Sequence, residues 1–300
     1  LQVYRMNNNR FGCMLKILPK GDLNFMLKKV AAIHDLSCVG RCSLSVVIPL
    51  LSAMGVQACP LPTAVLSSHS GGFQDVVCKN LTEEMKLFSE QWEMNKLEFD
   101  CVYSGFLASV EQIEITKEFI RKFTNEESLV LVDPVMGDEG KPYSLITPEL
   151  IANMRTLIAE SDIITPNYTE ACFLLKKEYQ GSDINWRELM PWLTELAEMG
   201  PERVVITGIP DKDKLLNLGY EKSTGAFFMV SNQRIGERYP GTGDIFASVL
   251  LGRLLCAEGF GTALYKAGNF VAEAITATQD LNLPVREGLA FEHVIEQVNL

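Results

Sequence analysis

Short apolar runs that alternate with stretches of helical spacing constrain this chain more than any other feature. Residues 29–34 (KVAAIH), 99–103, 129–132, 162–165 and 203–207 (RVVIT) are brief and almost wholly apolar in their centres, as in strands buried on both faces. Between and around them, residues 43–54, 82–96, 112–123, 148–159, 169–177 and 186–199 carry apolar side chains at intervals of three and four. Gly55 reads as the stop of the first helix, and Thr82 with Glu83 and Glu84 as the acidic start of the second. Residues 56–58 and 64–66 read as two further short strands, residues 219–220 and 226–230 as an antiparallel pair, and the carboxyl third as helices over 245–256 and 262–278. Strands alternating with helices in this way must run parallel, joined by right-handed crossovers that lay helices on both faces. The expected fold class is therefore α/β, three layers in αβα order around a mostly parallel sheet. No repeat, low-complexity tract or long linker breaks the pattern, so one domain is expected over residues 27–300. Residues 1–26 show no period and are set aside as an amino-terminal extension or a start-site artefact.

Composition excludes several functions. A formal net charge of -11 leaves no basic surface for nucleic acid or anionic lipid. No run of apolar residues is long enough to span a bilayer, and Lys16 and Lys20 interrupt the only amino-terminal apolar stretch, so a cytoplasmic protein is expected. The eight cysteines show no zinc spacing and are expected to be reduced and mostly buried, with Cys38 and Cys42 lying close to a suspected site.

In a parallel sheet ligands bind where the strands end at their carboxyl side, so polar and glycine-rich segments following apolar runs are the places to search. Pro240-Gly-Thr-Gly-Asp244 precedes an alanine-rich helix; its amides would converge at a helix amino terminus that favours anions, with Asp244 in the first turn. Such amides suit a phosphoryl group in transfer, and such a carboxylate suits the proton of an acceptor hydroxyl. The same segment could equally be a glycine turn with a helix-start charge. Asp133-Pro-Val-Met-Gly-Asp138 sets two carboxylates after one strand, as hydrated magnesium requires or as a solvated acidic turn would also show. Thr165-Pro-Asn-Tyr-Thr-Glu170 starts a helix, with Glu170 one turn from Asn167, either a metal group or a helix-start charge. Residues 62–73 end in Ser-Ser-His69-Ser70-Gly-Gly, a loop of donors that suits a ring-bearing ligand or a structural histidine.

Taken in order, Asp-Pro-Val-Met-Gly-Asp, Ile-Thr-Pro-Asn-x-x-Glu, Val-Val-Ile-Thr-Gly and Gly-Thr-Gly-Asp resemble the ribokinase-like superfamily. Ser-x-His-Ser-Gly-Gly-Phe and Tyr103-Ser-Gly-Phe106 narrow the resemblance to its pyridoxal/pyridoxamine (vitamin B6) kinases, over residues 28–280. The resemblance implies ATP-dependent phosphorylation of the 5'-hydroxymethyl of a B6 vitamer, Mg2+ and possible K+ or Na+ as ions, and a homodimer. It implies Asp244 as catalytic base with Gly241, Thr242 and Gly243 as the anion hole. Asp133, Asp138, Asn167 and Glu170 would arrange metal and nucleotide, and Thr165 and Thr207 would lie along the phosphates. His69, Ser70 and Phe106 would line the vitamer ring, and Asp35 stands where relatives often carry Ser facing the ring. Two other readings stay open: a hydroxymethylpyrimidine kinase with the same machinery, and a silent vitamer-binding protein. A Rossmann dehydrogenase and a P-loop NTPase are excluded, since neither glycine motif occurs.

Overall fold

The computed structural model of the protein describes residues 27–236 and 238–299, with the backbone of a strand pair at Tyr4–Arg5 and Lys16–Ile17. The extension assigned to residues 1–26 otherwise lies outside the described residues. Six strands run parallel: β1 (Lys29–Ser37), β2 (Gln57–Leu66), β4 (Cys101–Ser104), β5 (Leu129–Val132), β8 (Ile163–Ile164) and β9 (Arg203–Asp211). Antiparallel edges are added by β3 (Cys78–Asn80) on one side and by β10 (Lys214–Glu221) and β11 (Ala226–Gln233) on the other. The nine-stranded order is β11-β10-β9-β8-β5-β4-β1-β2-β3. A separate two-residue hairpin, β6 (Gly137–Asp138) and β7 (Lys141–Pro142), follows β5.

Alternation along the strands sorts the core into two layers. Ala31, Ile33 and Val102 face one side, with α2 (Thr82–Met94), α3 (Val110–Phe123), α4 (Pro148–Ile158), α5 (Tyr168–Leu175) and α6 (Met190–Ala197). Val30, Ala32 and Tyr103 face the other, with α1 (Leu44–Ala53), α7 (Thr242–Leu255) and α8 (Phe260–Asp280). This is the three-layer αβα arrangement expected for the ribokinase-like fold.

Two local expectations are corrected. Residues 56–58 and 64–66 belong to one strand, β2, which passes through Pro60 and Pro62. These prolines are two apart, so both missing N–H groups fall on the same side of the strand. That side is unpaired there, because β3 meets β2 only at Ala64, Val65 and Leu66. The helix expected over residues 186–199 is a 3-10 turn, Trp186–Leu189, before α6. α2 begins at Thr82 with Glu83 and Glu84 in its first turn, as expected, and the Thr82 N–H donates to Asn80 Oδ1 at 2.8 Å. The thiols also divide more evenly than expected. Cys42, Cys101 and Cys172 are buried but Cys38, Cys78 and Cys256 are exposed, and all the described cysteines are free.

The chain steps from β1 to β2 on one side and later places β4 on the other side of β1, so the loops leaving β1 and β4 diverge. A crevice opens at this switch point. α7 aims its amino end into it: Ile245 to Arg253 are all buried, which fixes the helix on every face. Its first residue rests on Gly241 at φ +79, where an added Cβ would stand 2.0 Å from the Arg41 carbonyl oxygen. Only glycine permits that turn and that approach.

On the opposite layer Phe119 is 1% exposed and packs against Phe99, Phe123 and Trp92, with centroids 5.8, 4.3 and 6.0 Å away. Phe119→Ala is expected to lower unfolding free energy by about 3–5 kcal/mol. Denaturant unfolding checks this, with a lower midpoint and an unchanged slope expected.

Candidate active site

One cavity of about 710 Å³ follows the carboxyl ends of the strands. At one end it is lined by Asp35, His69, Ser70 and Phe106; at the other by Thr207, Asn217, Asn232 and Gly268. Between them stand Asp133, Thr165 and the segment Gly241–Asp244. The sheet order explains this layout, since β1, β2 and β4 carry the first group, β5, β8 and the start of α7 the middle, and β9, β10, β11 and α8 the last.

The first intrahelical bond of α7 is the Ile245 N–H to the Gly241 carbonyl at 3.0 Å. The amides of Thr242, Gly243 and Asp244 precede it and have no partner within the helix, so they form a concentrated donor site for an anion. Asp244 is half-buried in this turn and its Oδ2 accepts the Ser43 N–H at 2.8 Å. Burial pushes its carboxyl up to about 7, the Ser43 donor working against that and Asp133 and Asp35 adding to it.

Asp133 is 6% exposed and its Oδ1 accepts the Thr165 hydroxyl at 3.0 Å. A Cβ on Gly243 would stand 3.7 Å from Asp133 Oδ2, so this oxygen faces the helix start. Its carboxyl is also pushed up to about 7 by burial, against the Thr165 hydrogen bond. Asp133, Thr165 and Gly241–Asp244 therefore come together.

Glu170 and Asp138 have other surroundings. Glu170 completes a capping box: Oε2 accepts the Asn167 N–H at 2.8 Å, while Asn167 Oδ1 accepts the Glu170 N–H at 2.9 Å. Its Oε1 accepts the Met136 N–H at 2.9 Å, and Asn167 Nδ2 donates to the Gly137 carbonyl at 2.8 Å. Glu170 thus ties the loop after β5 to α5, and burial, with Asp133 nearby, holds its carboxyl well above the usual range. Asp138 lines the cavity too but pairs with Arg238, 3.0 Å away. The two carboxylates following β5 do not share one environment.

At the other end His69 accepts the Gly71 N–H at Nδ1, 3.0 Å, and its Nε2 lies 2.6 Å from the Arg286 carbonyl. The first contact leaves Nδ1 unprotonated, so Nε2 carries the hydrogen and donates it. Both nitrogens are occupied, and His69 offers the cavity its ring rather than a free donor. Asp35 is 4% exposed and accepts the hydroxyls of Ser37, at 2.9 Å, and Ser43. Burial raises its carboxyl and these hydroxyls oppose the rise.

Sequence reasoning passed over Ser43, Arg238 and Asn232. The signal for Ser43 was present: Gly40-Arg-Cys-Ser43 directly follows the first strand, where a parallel sheet places ligand loops. The donors around Asp133 also fit magnesium, which keeps several waters and needs only one or two carboxylates beside substrate phosphates. No cluster of three or more His, Cys, Asp or Glu side chains able to form an all-protein metal cage occurs among the described residues.

A family profile described as phosphomethylpyrimidine kinase matches residues 48–287. The chain belongs to the phosphomethylpyrimidine kinase family. It is 31% identical to a pyridoxal kinase of Arabidopsis thaliana over 219 residues, 69% of this chain and 68% of that protein. A Bacteroides thetaiotaomicron protein named after phosphomethylpyrimidine kinase, in a crystal form with pyridoxal, is 40% identical with a TM-score of 0.88. That match covers 91% of this chain and 96% of the other. Pyridoxal kinase from Lactobacillus plantarum gives 29% identity and a TM-score of 0.83, over 91% of this chain and 96% of its own.

The raised carboxyls make stability depend on pH in a defined direction. Asp133 and Asp244 move from an ordinary 3.8 to about 7 on folding, so the folded chain holds protons that the unfolded chain has released. The resulting stability is fully present below about pH 4 and lost as pH rises through about 7. The ligand-free protein is expected to melt at a higher temperature at about pH 5.5 than at about pH 8, with Asp133→Asn and Asp244→Asn each flattening the slope. Calorimetry at the two pH values checks it; a wild-type melting temperature that rises toward alkaline pH contradicts the assignment.

Proposed function

We propose that this protein transfers the γ-phosphoryl group of ATP to the 5'-hydroxymethyl of a B6 vitamer. The observation that carries the reading is a half-buried carboxylate in the first turn of a buried helix, between the two ends of one cavity. The pyridoxal named with the Bacteroides relative supports the choice of substrate.

In this reading the vitamer ring lies among Asp35, Ser70, Phe106 and the His69 ring, and ATP extends toward Thr207, Asn217 and Asn232. Asp244 removes the proton of the hydroxymethyl group as its oxygen bonds to phosphorus. The amides of Thr242, Gly243 and Asp244 hold the charge on the phosphoryl oxygens, and the helix dipole acts in the same sense. Thr165 fixes Asp133 through its hydroxyl, leaving Oδ2 toward the phosphates. Magnesium, when bound with ATP, neutralises phosphate charge; Asp133 would hold it through one carboxylate and water. Glu170 would act through the loop it ties, and Asp138 would join the metal shell only by releasing Arg238. A monovalent ion and a homodimer belong to the same proposal.

Hydroxymethylpyrimidine kinase is the second reading, and the family description favours it. Incubation with ATP, magnesium and each of pyridoxal, pyridoxamine, pyridoxine and hydroxymethylpyrimidine separates the two. Formation of a vitamer 5'-phosphate is expected. Turnover of the pyrimidine alone would overturn the proposal, and binding without turnover would identify a silent binding protein. Asp244→Asn is expected to lower kcat by about 10²- to 10⁴-fold while ATP and vitamer still bind, measured by single-turnover kinetics and calorimetry. Asp35→Ser is expected to change the pyridoxamine to pyridoxal ratio of kcat/KM, because a buried carboxylate beside the ring pairs with a ring-nitrogen proton or an ammonium group. An unchanged ratio would place Asp35 outside substrate recognition.

A further inference from the structure

Ser43 does not do what a serine ahead of a helix ordinarily does. At an N-cap the side-chain oxygen accepts an N–H of the first turn, from an extended backbone. Here no side-chain cap forms, and the backbone lies at φ 53, ψ -134, a region that side-chain-bearing residues seldom enter. The unusual conformation aims the two donors of one residue at two different carboxylates. The Ser43 N–H donates to Asp244 Oδ2 at 2.8 Å, and the Ser43 hydroxyl donates to Asp35 Oδ1. Ser43 is 7% exposed and Asp35 4%, so water does not readily replace either bond. The loop has little freedom elsewhere, because Arg41 touches Gly241 and the Arg41 N–H donates to the Glu287 carbonyl at 3.1 Å.

We infer that Ser43 is a positioning residue that links the ring-facing Asp35 to the base Asp244, holding the base through its backbone N–H and holding itself in place through its hydroxyl. The inference rests on the reading of Asp244 as the general base and extends it. Asp35 then has two tasks: it faces the substrate ring, and it anchors the residue that orients the base. Occupation of the ring end and alignment of the base are mechanically joined across two loops that start and end at opposite parts of the chain.

The test separates positioning from folding. Ser43→Gly suits the observed backbone conformation and removes only the hydroxyl tether; Ser43→Ala removes the tether and keeps the unfavourable conformation. Ser43→Gly is expected to melt at or above the wild-type temperature yet lose about 10- to 100-fold in kcat, with KM for ATP within about twofold. A residue serving stability alone would show the reverse pattern. In a cycle of Ser43→Ala, Asp35→Ala and the double variant, Ser43→Ala is expected to change kcat by less than about twofold once Asp35→Ala is present. Full multiplication of the two losses, or near-native kcat in Ser43→Gly, would overturn the inference. If the wild-type enzyme turns over hydroxymethylpyrimidine and not the vitamers, the substrate proposal fails while the same cycle still tests Ser43 with that alcohol.

Discussion

A parallel sheet covered by helices on both faces leaves polar chemistry almost nowhere to go except the ends of the strands. The middle strands here are apolar on both sides: Val130, Leu131 and Val132 of β5 are buried, as are Ile163 and Ile164 of β8. Each strand therefore changes character abruptly at its carboxyl end, from aliphatic to Asp133 or Thr165, within one residue. The change happens at several neighbouring strands at the same height, so the polar residues gather into one line across the top of the sheet. α7 completes the arrangement because it is buried on all sides and cannot rotate, which places its amino-terminal amides against that line.

Such a site holds more negative charge than its depth readily supports. Asp35, Asp133, Glu170 and Asp244 are each shifted upward, with burial the largest cause in every case. Each shift is opposed by hydrogen bonds from inside the fold, from serine and threonine hydroxyls or from backbone N–H groups. These donors stabilise the ionised forms without supplying a neutralising charge, so the ligand-free site remains poised to accept cations. In the proposed function magnesium arriving with ATP would meet that need near Asp133, and a protonated ring or an amine would meet it near Asp35. As the proposed base, Asp244 would gain from the same physics that raises its carboxyl, since near neutral pH a base with a low pKa would draw the proton only weakly.

How much of this could be read in the sequence depends on whether the information was local. The strand at residues 129–132 and the helix after Gly241 are local patterns, set by apolar runs and by glycine at a helix start, and both stand where they were expected. The meaning of Glu170 was local as well, though two roles fitted the same spacing; the capping box with Asn167 is the one seen in the hydrogen bonds. Pro60 and Pro62 misled because a proline breaks a strand only where its N–H is needed, and whether an edge is free depends on which strand lies beside it. His69 was recognisable as a loop histidine, but its partner, the Arg286 carbonyl, comes from 217 residues further along the chain. Ser43 shows the same limit: its contact with Asp244 spans 201 residues, and its backbone conformation has no signature in residue type.

The division of the cavity also explains why family membership and substrate choice are separate questions. In the proposed reaction a pyridine and a pyrimidine alcohol would present the same hydroxymethyl group to Asp244, and the same amides would hold the phosphoryl group as it passes from ATP to either. Nothing between Gly241 and Asp244 can distinguish them. Discrimination has to act at the other end, where a buried group either finds a partner on the ring or is left without one, and leaving it unpaired is costly. Among the described residues Asp35 is the only carboxylate at that end of the cavity lining, and it already accepts two hydroxyls. A substrate that places a positive ring nitrogen or an ammonium beside it gains a charge-assisted contact; one that places a carbonyl there meets a like-signed oxygen. In the proposed function selectivity would therefore be set by how the loop after the first strand holds Asp35, and the hydroxyl of Ser43 belongs to that loop.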